Sequence, residues 1–361
     1  MAAIVTRAWP GAVRRLAARA SELRNGSRFV RVPPLRVTSG PVTRAAKAWF
    51  LCPHWDQPSG GVRKMYRWVD LLTEAGLPAT IVHEREGFSC SWFEHDTPVT
   101  SSGRVTLDSH DVLVVPEVYA ASIRDLPRGI RQVILNQNVY NTVETLDAGG
   151  RGTAAYLDNP DLQVVAVVSA DNESVFRYAF PGVPARRIRL GIDPAVYRPA
   201  NRDRARRLAY MPRRRASEAA QVLALLGQRG VLDGWDVVAI GGHRESEVAE
   251  LLQGSRVFMS LSQREGFGLP PLEALACGSL VVGYPGFGGR EFFRPPFAVP
   301  VEDGDVVAFA RAVEDMVRLV DDDPVAAGIA GHAGAEFVRT KYSCEAEQAD
   351  LLDVFAPLLD T

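Results

Sequence analysis

Residues 260–278 read Ser260-Leu-Ser-Gln-Arg-Glu265-Gly266-Phe-Gly268-Leu-Pro270-Pro271-Leu-Glu273-Ala-Leu-Ala-Cys277-Gly278. An apolar run that begins at Val257 leads into this segment and stops at a glycine-rich turn. Two prolines then open a short apolar stretch that Gly278 can close as a helix, because proline suits the first helical turn and glycine the position after the last. The pattern predicts a strand, a loop and a helix.

Two carboxylates border this loop. Glu265 stands at the exit of the predicted strand, and Glu273 follows after seven residues in the first turn of the predicted helix. Gly266 and Gly268 let a ligand approach the backbone, and free amides at a helix start favour a phosphate. The carboxylates are therefore candidates for binding hydroxyls of a phosphorylated sugar and its ribose. The alternative is that Glu265 is only solvated and Glu273 only stabilises the helix dipole.

Glu265, the intervening Gly-Phe-Gly-Leu-Pro, Glu273 and the following Ala-Leu-Ala-Cys-Gly together resemble a family signature. They look like the Glu-x7-Glu motif in the C-terminal domain of retaining GT-B glycosyltransferases. The resembled family is the large bacterial glycosyltransferase group 1, which is family 4-like. The resemblance covers most of residues 48 to 358. It implies an α/β fold in which two Rossmann-like domains, each with a parallel sheet, face each other across a cleft.

The resemblance also implies roles for individual residues. Glu265 would orient the hydroxyls of the donor sugar, and Glu273 would bind the ribose of a nucleotide-diphosphate sugar. Further donor contacts would come from Gly266, Phe267, Gly268, Leu269, Gly288, Gly289, Gly60 and Gly61. Glu291, which follows the second glycine cluster, would touch the donor sugar or simply cap the next element.

Composition sets broad limits on the class of protein. The chain has 361 residues, 47% of them hydrophobic, which suits two domains that each have a core. A net charge of −2 gives no general attraction to nucleic acid. No run approaches the roughly 20 apolar residues of a membrane span. The four cysteines are scattered and the histidines form no cluster, which favours a reducing cytoplasm and no structural zinc.

The first 47 residues carry ten Lys or Arg and a single acid, Glu22. Residues 12–24 could form a basic helix that contacts the cytoplasmic face of an anionic membrane. The alternatives are a flexible tail, which we favour, and a transit peptide. The predicted organisation is a basic extension and linker over 1–47, an acceptor domain over 48–190, a hinge over 191–200, a donor domain over 201–340 and a returning C-terminal helix over 341–361.

The first predicted strand, Ala48–Leu51, runs into a turn that contains His54, Asp56 and the Gly60-Gly61 pair. In the resembled family this turn lies in the interdomain cleft, so His54 and Asp56 are candidates for contacts with the acceptor. Taken alone, a Gly-Gly pair is more often just a turn.

Near-continuous apolar runs at 79–83, 112–115, 132–135 and 164–168 indicate a parallel sheet that is buried on both faces. Ligands of such sheets collect at the carboxyl ends of the strands. Asn136 and Asn138 are the favoured acceptor candidates there, because an amide can both donate to and accept from a sugar hydroxyl. The other polar residues that follow strands are Glu117, Ser169 and Asp171. Many relatives have a histidine in this region, and residues 131–145 contain none.

The second domain begins with a predicted strand, Arg207–Tyr210, followed by Arg213, Arg214 and Arg215. Arginines at this position are suited to neutralising a diphosphate through bidentate hydrogen bonds. Arg213 and Arg215 are favoured, because alternate residues of an extended segment share a face. The alternative is a solvated basic loop. Asp321, Asp322 and Asp323 are interpreted as a solvated helix end rather than a metal site.

The predicted function is transfer of a sugar from a nucleotide-diphosphate sugar to an acceptor hydroxyl with retention at the anomeric carbon. Glu265, Arg213 and Arg215 would be the catalytic residues, with no metal and no cofactor. The acceptor would be a glycan or lipid-linked saccharide of an envelope or surface polysaccharide. Alternatives are a catalytically inactive GT-B-like protein that binds nucleotide-sugar or polysaccharide, and a nucleotide-sugar epimerase or hydrolase. The sequence does not predict the sugar, the base, the linkage or the oligomeric state.

Overall fold

The computed structural model describes residues 30–55, 57–146, 154–201, 203–213 and 215–360. The predictions for the basic helix at 12–24, for Asp56 and for Arg214 lie outside these residues. Among the residues described, no helix combines the length and apolar character that crossing a membrane would require.

The first half of the chain forms a seven-stranded parallel sheet in the order β4-β3-β2-β6-β7-β8-β9. Side chains alternate between its faces: Phe50 packs with the helix residues Met65 and Tyr66, whereas Leu51 joins the core on the opposite face. Both faces are thus buried, which explains the near-continuous apolar runs. The strands are β2 Ala48–Leu51, β3 Ala79–His83, β4 Val99–Ser101, β6 Val112–Pro116, β7 Arg131–Asn136, β8 Leu162–Val167 and β9 Ala185–Arg187.

A separate two-stranded parallel sheet pairs β1, Arg36–Thr38, with β5, Thr106–Asp108. The predicted linker between residues 33 and 41 therefore contains a strand. The helices of this half are α1 Gly60–Glu74, α2 Val139–Leu146, α3 Ala154–Leu157 and α4 Ala170–Ala179, with 3₁₀ helices at Ser102–Arg104 and Glu117–Asp125.

The second half forms a five-stranded parallel sheet in the order β11-β10-β12-β13-β14. Its strands are β10 Arg207–Tyr210, β11 Asp236–Ala239, β12 Val257–Glu265, β13 Leu280–Phe287 and β14 Ala298–Pro300. Its helices are α5 Ala216–Gln228, α6 Glu245–Gln253, α7 Leu269–Ala276, α8 Val306–Asp322 and α9 Pro324–Lys341, with a 3₁₀ helix at Gly288–Glu291. The predicted α/β class with two parallel sheets is confirmed.

The last helix, α10 Cys344–Leu359, packs against the first domain. Phe355 stacks on Phe50 with ring centroids 5.6 Å apart. The buried carboxylate of Glu347 accepts hydrogen bonds from Lys64 Nζ at 3.0 Å and from Trp68 Nε1 at 2.9 Å. A buried carboxylate is tolerated only when it is paired in this way. The end of the chain is therefore fixed to helix α1 of the first half.

The Glu-x7-Glu segment differs from its prediction in one respect. Helix α7 begins at Leu269, so Glu273 lies in the second turn rather than the first. The helix begins this early because Pro270 and Pro271 occupy first-turn positions, where the missing N–H groups would have no helical partner. Glu273 therefore lies beyond the helix start, within reach of the first domain.

Candidate functional site

The turn after β12 lies against the first domain. Gln137, which follows β7, inserts between two of the predicted glycines, and its Nε2 donates to Gly61 O at 3.0 Å. A Cβ atom on Gly266 would lie 1.8 Å from Gln137 O, and one on Gly61 would lie 2.6 Å from Gln137 Oε1. These glycines thus allow the two domains to touch.

The other predicted glycines also permit close packing. A Cβ on Gly60 would lie 2.8 Å from Leu269 Cδ1, and one on Gly288 would lie 2.2 Å from Gly266 O. Gly268 has a φ of 99°, a conformation that side chains rarely adopt. Gly289 is buried near Phe292. The two glycine turns of the second domain are thus packed against each other at the cleft.

Phe267 contributes to the core rather than presenting its ring to the cleft. It is 3% exposed, and its ring lies 5.6 Å from that of Phe292 and 5.5 Å from that of Tyr342. The prediction of a donor contact is therefore restricted to its backbone.

Glu273 lines a pocket between the domains. The first domain supplies three cations on consecutive turns of α1, and the hinge supplies Tyr197. The lining residues are Gly60, Arg63, Lys64, Arg67, Gly191, Ile192, Asp193, Tyr197, Leu269, Glu273, Cys344 and Glu347.

The environment of Glu273 favours its neutral form. The pKa of Glu273 is raised to about 7, because the carboxyl group is buried and because the carboxylate of Glu245 is nearby. Arg63, Lys64 and a hydrogen bond from Tyr197 oppose this rise. A carboxyl group with a pKa near 7 can change charge when a ligand binds. Perturbed carboxyl groups of this kind cluster at functional sites.

An ion pair crosses the cleft beside this pocket. Arg63 Nη2 on α1 donates to Glu245 Oε2 on α6 at 2.6 Å. Both side chains are mostly buried, with 26% and 18% exposure. The sequence analysis did not single out Arg63, Tyr197 or Glu245. A signal for Arg63 was present, since three basic residues recur on the first turns of the helix after Gly60-Gly61.

Arg213 and Arg215 do not share a face. The segment forms a tight turn, in which Arg215 N donates to Pro212 O at 3.1 Å, rather than an extended strand. Arg213 reaches across to the first domain, where its Nη1 donates to Pro58 O at 3.2 Å. The expectation based on alternating residues was wrong because residues alternate in direction only in extended backbone.

Arg215 is buried and already paired. Its Nη1 contacts Glu218 Oε2 at 2.7 Å, its Nη2 contacts Asp303, and its guanidinium lies 4.7 Å from the centre of the Tyr284 ring. Only 5% of its side chain is exposed. These contacts fix the turn that carries Arg213.

The acceptor candidates of the first domain are held in a polar network. Asn136 is buried and donates from Nδ2 to Thr142 Oγ1 at 2.8 Å. Asn138 donates from Nδ2 to Arg264 O of the second domain at 3.1 Å. His54 has a buried Nδ1 without a hydrogen-bond partner among the described residues, and its ring lies 6.0 Å from that of Phe88.

Glu117 supports the loop that carries these amides. Its carboxylate accepts from Gln137 N at 3.0 Å and from Asn141 Nδ2 at 3.1 Å. Burial raises the pKa of Glu117 to about 7, although the hydrogen bonds oppose the rise. Glu117 was a candidate because it follows a strand, and its contacts here are those of a positioning residue.

Glu291 bridges the two domains. Its carboxylate accepts from Ala170 N at the start of α4 at 3.0 Å and from Tyr342 Oη at 2.8 Å, and it pairs with Arg187. These contacts favour a capping and bridging role. Asp321 pairs with Arg206 at 2.9 Å. Across the described ranges, no group of three His, Cys, Asp or Glu residues could hold a metal ion.

Comparison with known proteins identifies the second domain. Residues 231–323, which contain both glutamates of the motif, match the family described as glycosyl transferases group 1. A stretch of 230 residues is 27% identical to an alpha-1,6-glucosyltransferase of Actinobacillus pleuropneumoniae serotype 7. The alignment covers 60% of this chain and 66% of that relative, just under two thirds of the relative's length.

Solved structures agree on the architecture. Sucrose-phosphate synthase from Thermosynechococcus elongatus is 15% identical with a TM-score of 0.62, covering 87% of this chain and 99% of that chain. Anabaena HepE in complex with UDP and glucose is 12% identical with a TM-score of 0.60, covering 86% of this chain and 100% of that chain. Likeness at this identity concerns the fold. Residues 231–323 thus match the glycosyl transferases group 1 family, and the chain as a whole has the GT-B fold of these neighbours.

Proposed function

We propose that the chain transfers a sugar from a nucleotide-diphosphate sugar to an acceptor hydroxyl, with retention at the anomeric carbon. The observation that carries the proposal is the interdomain pocket that contains Glu273 with its perturbed pKa. The glucosyltransferase relative and the HepE complex with UDP and glucose support a UDP-sugar as the donor.

In this proposal the donor lies along the pocket and the glycine turns. Glu273, in its ionised form, accepts hydrogen bonds from the ribose hydroxyls. Arg213 and backbone amides of the glycine turns neutralise the diphosphate, because a guanidinium and exposed N–H groups both stabilise anions. Glu265, at the end of β12, orients the hydroxyls of the donor sugar. Arg215 acts through its buried contacts, which hold the turn beneath Arg213.

The chemical step breaks the bond between the anomeric carbon and the phosphate oxygen, and forms a bond from the acceptor oxygen to the same face of that carbon. The acceptor proton passes to the departing phosphate oxygen. The protein lowers the barrier by stabilising negative charge on the leaving diphosphate and by positioning both substrates. This scheme assigns the charge stabilisation to arginine and backbone amides and requires neither a metal nor a cofactor.

The acceptor in this proposal is a glycan or lipid-linked saccharide of an envelope or surface polysaccharide, reached at the cytoplasmic face of a membrane. Asn138 and the ring of His54 would contact this acceptor from the first domain, whereas the buried Asn136 would act by holding the loop through Thr142. The basic residues before position 48 would supply a peripheral contact with anionic lipid.

The first test is calorimetric titration of the purified chain with UDP, GDP, ADP and dTDP, first without and then with Mg²⁺. We expect one nucleotide, UDP, to bind without the metal. Incubation with the matching sugar nucleotides and an acceptor panel, followed by NMR of the product, should give a glycoside with the anomeric configuration of the donor. Failure of every nucleotide to bind would refute the proposal. Release of free sugar or an epimer would instead indicate a hydrolase or epimerase, and binding without any product would indicate a binding protein.

A further inference from the structure

We propose that Arg264 and Arg290 form a subsite for an anionic group, a phosphate or a carboxylate, carried by the acceptor saccharide. This inference rests on the proposed transferase function and adds the charge of its acceptor. Both arginines are exposed and flank the end of β12, where Glu265 is placed. Neither contributes to the pocket that contains Glu273.

The backbone beside both arginines is held in an unusual conformation. Arg264 has a φ of 45° and Phe287 a φ of 70°, and these are the only non-glycine residues with positive φ in the described part of the chain. Side chains avoid this region, and it persists where surrounding contacts impose it, often at ligand sites. The contacts are present here: Asn138 Nδ2 donates to Arg264 O at 3.1 Å, and Glu265 pairs with Phe287 across the two strands.

A stack of side chains brings the second arginine to the same place. The Arg290 guanidinium lies 4.4 Å from the centre of the Phe287 ring, and that ring lies 5.2 Å from the ring of Tyr140 in the first domain. Tyr140 Oη donates to Asp171 Oδ2 at 2.7 Å. Burial and this hydrogen bond raise the pKa of Tyr140, while the charges of Arg290 and Arg264 oppose the rise.

The two guanidiniums have no carboxylate partner. Within the residues that the structure describes, neither Arg264 nor Arg290 forms an ion pair, whereas Arg187, Arg189 and Arg215 each pair with a carboxylate. A guanidinium offers paired N–H donors that match the oxygens of a phosphate or a carboxylate. Two exposed guanidiniums beside the same paired strand ends, without a carboxylate partner among the described residues, are suited to an anionic ligand.

The position favours the acceptor over the donor as the source of that anion. The cluster contains Tyr140 and Asp171, which follow the carboxyl ends of β7 and β8 on the first-domain side of the cleft. The nucleotide of the donor in our proposal occupies the pocket that contains Glu273, and this pocket shares no lining residue with the cluster. We therefore assign the subsite to an acidic sugar or sugar phosphate that receives the transferred unit.

The test uses UDP-saturated full-length protein titrated with glucuronate, glucose 6-phosphate and methyl glucoside at constant ionic strength. We expect the two charged sugars to bind at least tenfold more tightly than the neutral one. Arg264→Gln and Arg290→Gln should each weaken binding of the charged sugars about tenfold and leave UDP binding unchanged. Arg294→Gln is the matched control, because Arg294 is also exposed and stacks on an aromatic ring, that of Phe337, at 4.2 Å.

Equal binding of charged and neutral sugars, or an equal loss in Arg294→Gln, would overturn the subsite. A titration of the free protein with UDP-glucuronate and UDP-glucose tests whether the anion belongs to the donor instead. If the arginines confer a preference for the charged donor but none for the charged acceptor sugars, the assignment to the acceptor is overturned. Normal UDP binding with no anion preference leaves the proposed function standing, whereas loss of all nucleotide binding in the wild type would refute the function itself.

Discussion

Replacing Glu273 by Gln should affect stability and nucleotide binding in opposite directions. The folded environment raises the pKa of Glu273 from 4.5 to about 7. A raised carboxyl pKa means that folding favours the protonated form, so the stability is present in full below about pH 4.5 and is lost as the pH rises through 7. The difference in pKa corresponds to at most about 3 kcal/mol. Glu273→Gln should therefore raise the free energy of unfolding by about 2 kcal/mol at pH 8 and leave it unchanged near pH 4.

Nucleotide binding should also depend on the proton of the Glu273 carboxyl group. Ribose hydroxyls donate to the ionised carboxylate, so binding at pH 7 should release up to about half a proton in the wild type and none in Glu273→Gln. The variant should bind UDP about tenfold more weakly, since a charge-assisted hydrogen bond is lost. Calorimetry in two buffers of different ionisation enthalpy measures the proton release, and urea titration measures stability.

Glu250→Gln is the control, because Glu250 lies on the exposed face of α6 in the same domain. Undiminished proton release in Glu273→Gln, or unchanged UDP affinity, would remove Glu273 from the donor site. Equal stability of the variant and the wild type at pH 8 would refute the argument about its buried charge.

Four further substitutions test separate parts of the structure. Arg215→Ala should lower the free energy of unfolding by about 2 kcal/mol in urea titration, because its buried ion pairs and ring contact are lost. Arg213→Ala should leave stability unchanged and reduce turnover at least tenfold. Gly266→Ala should push the two domains apart and abolish transfer, which small-angle scattering and activity assays would detect. Lys64→Met should cost about 3 kcal/mol, since it leaves Glu347 charged and unpaired, and melting temperatures would reveal the loss.

Two of these substitutions have a matched control. Gly241→Ala adds a methyl group where no atom lies within 4 Å, so it should change neither scattering nor activity. The double variant Lys64→Met/Glu347→Gln should recover most of the lost stability, because it removes the buried charge. Normal turnover in Arg213→Ala would return Arg213 to a solvated loop, and an unchanged scattering profile in Gly266→Ala would contradict the proposed closeness of the domains.

Local pattern sufficed for most of the elements because the signals were short-range. The segments 48–51, 79–83 and 207–210 agree with the observed elements at both ends. Boundaries were less certain where local rules compete. The start of α7 at Leu269 is an example, since prolines that seem to open a helix can also occupy its first turn. The turn at Arg213 is another, because three consecutive arginines carry no information about backbone direction.

The sequence by itself determined the fold class, the two parallel sheets and the resemblance of the second domain to group 1 glycosyl transferases, because apolar periodicity and the spacing of Glu265 and Glu273 are properties of the chain read along its length. Only the tertiary structure decided which side chains meet across the cleft. Arg63 and Glu245 are 182 positions apart, which is far beyond the range of a local pattern. Gln137 reaches Gly61 and Gly266 only because the two domains are packed together. Such contacts depend on how two separately folded sheets are packed together, and a pattern along the chain does not specify that packing.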